Sequence, residues 1–149
     1  MYAKVNQEGI AVYPYTIEQM YADNPDTSFP SSPSANTLGE FGVVIVEPTP
    51  KPAGDHTVNI SEGVPALVNG AYTQTWLTAD ASSEEISERV QAQWASVRYQ
   101  RTGLLNASDW TQLPDSPVDT SAWANYRANL RDITLQDNPF SIVWPSQPA

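Results

Sequence analysis

Short runs of apolar and β-branched residues dominate the first eighty positions of the chain. The runs Tyr2–Val5 and Ile10–Tyr13 flank a turn, which predicts a β-hairpin, and the continuous run Val43–Val46 is typical of a buried strand. Asn69-Gly70 tolerates positive φ at both positions, so it predicts a type I′ hairpin. The strands of that hairpin are expected at Ala66–Val68 and Ala71–Leu77.

Helical signals occur along the whole chain, but the long ones follow residue 81. Thr16 and Gln19 form the capping-box pattern of a short helix, and a helical turn is expected over Ala35–Glu40. Ser82 and Glu85 form a second capping box, which opens a helix of about six turns. The apolar stripe of that helix comprises Ile86, Val90, Trp94, Val97, Leu104 and Leu105, with the stem of Arg101 at its edge.

A second long helix is predicted from Asp119, whose carboxylate can cap it, to about Asp132. The first long helix should end near Ser108. One face of the second helix carries Trp123, Tyr126, Leu130 and Ile133. We therefore expect the two helices to pack as an antiparallel hairpin, with Trp94 and Trp123 near the seam.

These elements predict an α+β protein built from two parts. Residues 1–80 are expected to form a small, acidic, β-rich N-terminal part with short helices. Within it, residues 47–52 are a proline-rich segment that suits a linker or a sheet edge. Residues 81–149 are expected to form the helical hairpin, followed by an extended tail that contains Trp144-Pro145.

Charge and composition narrow the classes of function. The 149 residues include 17 acidic and 7 basic side chains, a formal net charge of −10. Eleven acids against two lysines place −9 in residues 1–85, and six acids against five arginines place −1 in residues 86–149. Such a chain lacks the clustered lysine and arginine that nucleic acids and anionic membranes require, so we expect neither as a partner. The N-terminus lacks the apolar core of a signal peptide, so we expect use without Sec export.

Candidate chemistry is sparse. With no cysteine and a single histidine, His56, no Cys/His metal site can form, and we expect no metal, no small-molecule cofactor and no catalytic residues. Aromatic residues and arginines cluster instead around the helices and the tail, and these residue types dominate protein interfaces. The same tryptophans could instead simply close a small core. The candidate partner-binding residues are Trp94, Arg98, Trp110, Trp123, Tyr126, Arg127 and Trp144.

The region from Arg101 to Pro148 resembles the C-terminal region of the tail fibre assembly proteins, or phage tail assembly chaperones, of tailed bacteriophages. The segments that carry the resemblance are Arg101–Leu105, Ser108–Asp115, Trp123–Asp132, Pro139-Phe140 and Trp144-Pro145. The resemblance implies a non-catalytic protein that binds a tail fibre or spike protein, usually trimeric, and helps it to fold. It also implies a place in the host cytoplasm during assembly and, in some cases, in the tail of the finished virion.

Two alternatives remain open from the sequence. The chain could be a structural virion component, such as an adaptor or decoration protein of the fibre or baseplate, with the hairpin as its attachment module. A third interpretation is a carbohydrate-binding fibre tip, in which Tyr72 and Trp76 would be the stacking platforms.

Overall fold

The computed structural model describes residues 1–148 and places them in two compact units. The first unit is Met1–Asp80 and the second begins at Ala81. Strands and two short helices form the first unit, and two longer helices form the second, so the predicted α+β class is confirmed. Among the described residues, no helix combines the length and the apolar composition needed to cross a membrane.

Two sheets make up most of the first unit. A five-stranded sheet has the order β2-β1-β3-β6-β5, and a two-stranded sheet pairs β4 with β7. The strands are β1 (Tyr2–Asn6), β2 (Gly9–Tyr15), β3 (Val43–Glu47), β4 (Val58–Glu62), β5 (Ala66–Val68), β6 (Ala71–Thr73) and β7 (Trp76–Asp80). All pairs are antiparallel except β3 with β6, which run parallel.

Both predicted hairpins are confirmed. β1 pairs with β2, and β5 pairs with β6 through the expected turn. Asn69 has φ 50° and Gly70 has φ 86°, the positive values that a type I′ turn requires at both central positions.

The single strand predicted over Ala71–Leu77 is wrong, because the chain changes sheets at Gln74. The Gln74 side chain is 8% exposed and bonds on both sides: its Nε2 donates to Glu62 Oε1 (2.7 Å), and its Oε1 accepts from the backbone N of Thr49 (3.1 Å). Its backbone N donates to the carbonyl of Glu47 (2.8 Å). These bonds to distant segments separate β6 from β7.

The two helices of the first unit pack against residues of β2 and β3. They are α1 (Ile17–Asp23), whose predicted capping box at Thr16 is confirmed, and α2 (Ala35–Glu40). The core beneath them contains Tyr15, Met20, Leu38 and Val43. Burial of these side chains is what holds two helices too short to be stable alone.

Gly42 ends α2 and starts the return into β3. Its φ of 69° lies in the left-handed region, and its N–H donates to the carbonyl of Gly39 (3.1 Å), as is typical of a helix C-terminus. A Cβ at Gly42 would lie 2.9 Å from the carbonyl oxygen of Val5. The position therefore requires glycine for both its backbone conformation and its close approach to β1.

An ion pair ties α1 to β1. Lys4 Nζ lies 2.6 Å from Asp23 Oδ2, and the Tyr15 hydroxyl donates to the same oxygen (2.7 Å). The hydrogen bonds from Lys4 and then from Tyr15 lower the pKa of Asp23 below its usual range.

A second hydrogen bond involves the neighbouring strand β2. The Tyr13 hydroxyl donates to Glu62, and burial, together with that hydrogen bond, raises the pKa of Tyr13 to about 12.

The second unit contains α3 (Ser83–Ala107) and α4 (Thr120–Arg131). The predicted capping box at Ser82 and the predicted cap at Asp119 are both confirmed, since each side chain accepts from a first-turn backbone N–H. Two 3₁₀ turns, Asp109–Gln112 and Asp132–Leu135, follow the helices and were not predicted. Val97 of α3 and Leu130 of α4 are buried in the core of this unit. The antiparallel crossing of the two helices stays a prediction.

Candidate partner-binding surface of the second unit

The turn after α3 exposes apolar side chains on a backbone that is tightly bonded. Thr111 is fully buried, and its hydroxyl donates to the carbonyl of Ser108 (2.7 Å). Ser108 is also buried, and its hydroxyl donates to the carbonyl of Leu104 (2.8 Å). Between these anchors, Trp110 is 48% exposed, and Leu113 just beyond them is 54% exposed. The buried hydroxyls of Ser108 and Thr111 thus fix the backbone on both sides of the exposed Trp110.

Arg127 on α4 holds this turn in place through hydrogen bonds to the end of α3 and to Asp109. One terminal nitrogen donates to the carbonyl of Leu105 (2.6 Å) and to the hydroxyl of Ser108 (2.8 Å). The other donates to Asp109 Oδ1 (2.6 Å), forming an ion pair. The Arg127 side chain is 10% exposed and the Asp109 side chain 64% exposed, so one partner is buried and the other meets solvent. The guanidinium therefore caps the C-terminal end of α3 and fixes the turn that carries Trp110.

Three aromatic rings connect that turn to the core. The ring centroids of Trp110 and Trp123 are 6.3 Å apart, and those of Trp123 and Tyr126 are 5.6 Å apart in an edge-to-face arrangement. Tyr126 is 4% exposed, Trp123 is half-buried and Trp110 is exposed. The rings form a gradient from core to surface, which holds the outer indole in place without burying it. We call Trp110, Trp123 and Tyr126 the aromatic ladder.

The structure separates the seven candidate residues by exposure. Arg98 and Trp110 are exposed, and Trp94, Trp123 and Trp144 are half-buried. Tyr126 and Arg127 are buried: Tyr126 packs on Trp123, and Arg127 bonds to the end of α3. Spacing along the helix could not reveal the bonds of Arg127, because its partners Ser108 and Asp109 lie eighteen or more positions away. The binding of a partner by any of the seven residues stays a prediction.

Sequence reasoning overlooked Leu113 and the anchoring of the tail. Leu113 lies in the segment Ser108–Asp115 that carries the family resemblance, and its exposure beside Trp110 makes it part of the surface. In the tail, the Gln136 side chain bonds in both directions to the backbone of Val143, with Nε2 donating to the carbonyl (3.1 Å) and Oε1 accepting from the N–H (2.9 Å). A lone glutamine in a polar segment offers no pattern that would predict this.

The aromatic residues considered for carbohydrate stacking lie in the first unit, in different sheets. Tyr72 is in β6 and Trp76 is in β7. The indole N–H of Trp76 donates to Thr49 Oγ1 (3.1 Å), and Lys51 Nζ lies 5.8 Å from the ring centroid. One face of that indole is therefore already next to a cation.

Among residues 1–148, no group of three or more histidine, aspartate or glutamate side chains is placed to hold a metal ion.

Comparison with known proteins finds one match, and it lies within the second unit. No curated protein and no solved structure matches the chain. Residues 94–149 match the family model described as phage tail assembly chaperone protein. The matched segment starts at Trp94 within α3 and includes the aromatic ladder, Arg127 and the tail. The resemblance noted in the sequence is thus confirmed for the C-terminal region, which matches the phage tail assembly chaperone family.

Proposed function

We propose that the chain is a tail assembly chaperone that binds a tail fibre or spike protein and assists its folding or trimerisation. The observation that carries the proposal is the family match over residues 94–149, which coincides with an exposed apolar surface around Trp110 and Leu113. The proposed role needs no catalytic residue.

The surface suits a client that is only partly assembled. Strands of a fibre subunit expose apolar side chains and free backbone groups before the subunits pair, and such edges aggregate. An indole held at 48% exposure by the aromatic ladder offers a rigid apolar contact that loses little conformational entropy on binding. We propose that Trp110 and Leu113 cover client strands, with Arg98 as a polar contact near them in sequence.

The first unit contributes charge. Residues 1–80 carry nine acids and two lysines, a formal charge of −7, and both lysines have partners within the unit: Lys4 pairs with Asp23, and Lys51 lies over the Trp76 ring. We propose that the two units fold as separate domains and that this acidic one keeps complexes apart by repulsion. Assembly would take place in the host cytoplasm.

Co-expression with a tail fibre or spike protein of the same phage tests the proposal. We expect the two proteins to purify together and the yield of trimeric fibre to rise when this chain is present. Trp110→Ala should reduce both readouts, whereas Tyr99→Ala, which removes an aromatic ring that is 84% exposed on α3, should reduce neither. Failure of the wild-type chain to purify with the client would refute the proposal.

Mass spectrometry of purified particles then decides whether the chain leaves the fibre. A chaperone that acts only in assembly is absent from the particles, and a retained one appears at a fixed ratio to the fibre. Presence at a fixed ratio without any effect on fibre folding would instead support a structural virion component.

A further inference from the structure

A groove lies between the end of α4 and the anchored tail. It is lined by Asn129, Asp132, Ile133, Gln136 and the tail residues 143–145, which include Trp144 and Pro145. Its volume is about 260 Å³. Pockets for whole small molecules hold roughly 300–1,000 Å³, so this groove fits a single long side chain better than a free ligand.

The walls of the groove are fixed by bonds already described. The two hydrogen bonds between Gln136 and the backbone of Val143 hold the tail against the 3₁₀ turn. Trp144 directly follows Val143, so the same bonds restrict its position. Ile133 is 2% exposed and anchors the opposite wall in the core. The site is therefore formed before any partner arrives, which lowers the entropic cost of binding.

The chemistry of the lining selects a cation. Asp132 is the only charged residue among the lining residues, and its carboxylate is exposed. It also caps the C-terminal end of α4, where the helix dipole adds partial negative charge. The indole of Trp144 supplies a π surface that attracts cations, and the amide oxygen of Asn129 supplies an acceptor. A planar guanidinium can stack on an indole and bond to a carboxylate at the same time, which an ammonium cannot do as well.

From this lining we infer that the groove binds an arginine side chain of the client tail protein. The inference rests on the proposed function for the identity of the client, but not for the chemistry of the groove. It adds a second contact to the apolar surface at Trp110, one that recognises charge. Such a contact would fix which part of the client lies on the chaperone, because a rim ion pair contributes more to orientation than to affinity.

Titration of the full-length chain with N-acetyl-arginine methylamide tests the groove directly. We expect the indole N–H resonance of Trp144, assigned with a Trp144→Phe variant, to shift saturably in proton–nitrogen spectra. The neutral citrulline analogue, which has nearly the same shape, should produce no saturable shift. Equal shifts with both compounds, or no shift with either, would overturn the inference.

Two carboxylate variants provide the matched comparison. Asp132→Asn should weaken arginine binding by roughly 1.5-fold to fivefold, as for the loss of an exposed ion pair. Asp137→Asn removes the same charge from an exposed position that does not line the groove, and it should leave binding unchanged. If both variants weaken binding equally, the general charge of the unit and not the groove is responsible, and the inference fails.

The client complex provides the last comparison. Asp132→Asn, but not Asp137→Asn, should lower the affinity for the client that purifies with the chain. If the complex forms and Asp132→Asn leaves it unchanged, the inferred client arginine is wrong while the chaperone function stands. If no complex forms with the wild type, the chaperone function fails, and the arginine titration still decides the chemistry of the groove.

Discussion

Replacement of Arg127 by methionine tests whether the buried guanidinium holds the turn that presents Trp110. Methionine keeps an unbranched apolar stem but removes every donor, so the bonds to Leu105, Ser108 and Asp109 are lost together. If the turn depends on these bonds, the second unit should lose stability and Trp110 should lose its fixed position.

The size of the effect follows from what remains after the change. Hydrogen bonds from a charged donor contribute about 1.5–3 kcal/mol. The carbonyl of Leu105 keeps its bond from the backbone N of Ser108 (3.1 Å), and Asp109 is 64% exposed, so water replaces its lost partner. Neither group is left buried and unpaired, so the cost stays below the ~3–5 kcal/mol seen when a buried pair is broken. We expect Arg127→Met to lower the free energy of unfolding by about 2 kcal/mol.

Urea unfolding followed by tryptophan fluorescence and by circular dichroism measures this cost. Asp109→Asn is the matched control, because it removes only the exposed half of the ion pair and should cost under about 1 kcal/mol. Added salt should reduce that smaller loss and leave the larger one nearly unchanged. The reasoning is refuted if Arg127→Met unfolds with wild-type stability, or if the two variants lose equal amounts.

Three further changes test the first unit. Gly42→Ala should destabilise the first unit by at least about 2 kcal/mol, because the backbone is left-handed and the carbonyl of β1 lies close. Gly39→Ala, on the open face of α2, should stabilise the unit by about 0.5–1 kcal/mol in the same urea unfolding experiment. The pKa of Asp23 is lowered in the folded chain, so the ionised carboxylate contributes to stability above about pH 4, and this contribution is lost as the pH falls through the folded pKa. Thermal unfolding between pH 6 and pH 2 should show this loss of stability in the wild type and a smaller loss in Asp23→Asn. The raised pKa of Tyr13 should appear as a phenol that ionises at about pH 12 in the absorbance at 295 nm, and Tyr13→Phe should remove that component; an unchanged titration curve would show that its bond to Glu62 and its burial do not persist in solution.

Elements set by local chemistry could be predicted from the sequence. The turn at Asn69-Gly70 depends on two residues that tolerate positive φ, and the helix starts at Thr16 and Ser82 depend on a side chain that bonds within one turn. In each case, every atom that decides the structure lies within four residues, so the pattern suffices.

Elements set by distant bonds could not be predicted. The run Ala71–Leu77 is as suited to one strand as to two, and only the bonds of Gln74 to Glu62 and Thr49 divide it. The same holds for the parallel pairing of β3 with β6, which joins residues 26 positions apart, such as Val46 and Tyr72. The aromatic motifs located the candidate surface, but which ring faces solvent depends on how Arg127 and Thr111 fix a turn whose geometry the motifs do not encode.

The sequence left two roles open for the aromatic residues, closing a small core and binding a partner, and the aromatic ladder contains a residue suited to each. Tyr126 at its inner end is core, and its replacement by alanine should cost about 3 kcal/mol or more of stability, as for other large buried side chains. Trp110 at the outer end is 48% exposed and packs on the Trp123 ring, so Trp110→Ala should cost about 1.5–2.5 kcal/mol, roughly half of the cost for a fully buried tryptophan. A surface used for binding therefore predicts that Trp110→Ala reduces capture of the client far more than it reduces stability, while Tyr126→Ala reduces both together. If instead client capture by the two variants follows their stability along one line, the ladder is only core, and the partner must bind elsewhere on the chain.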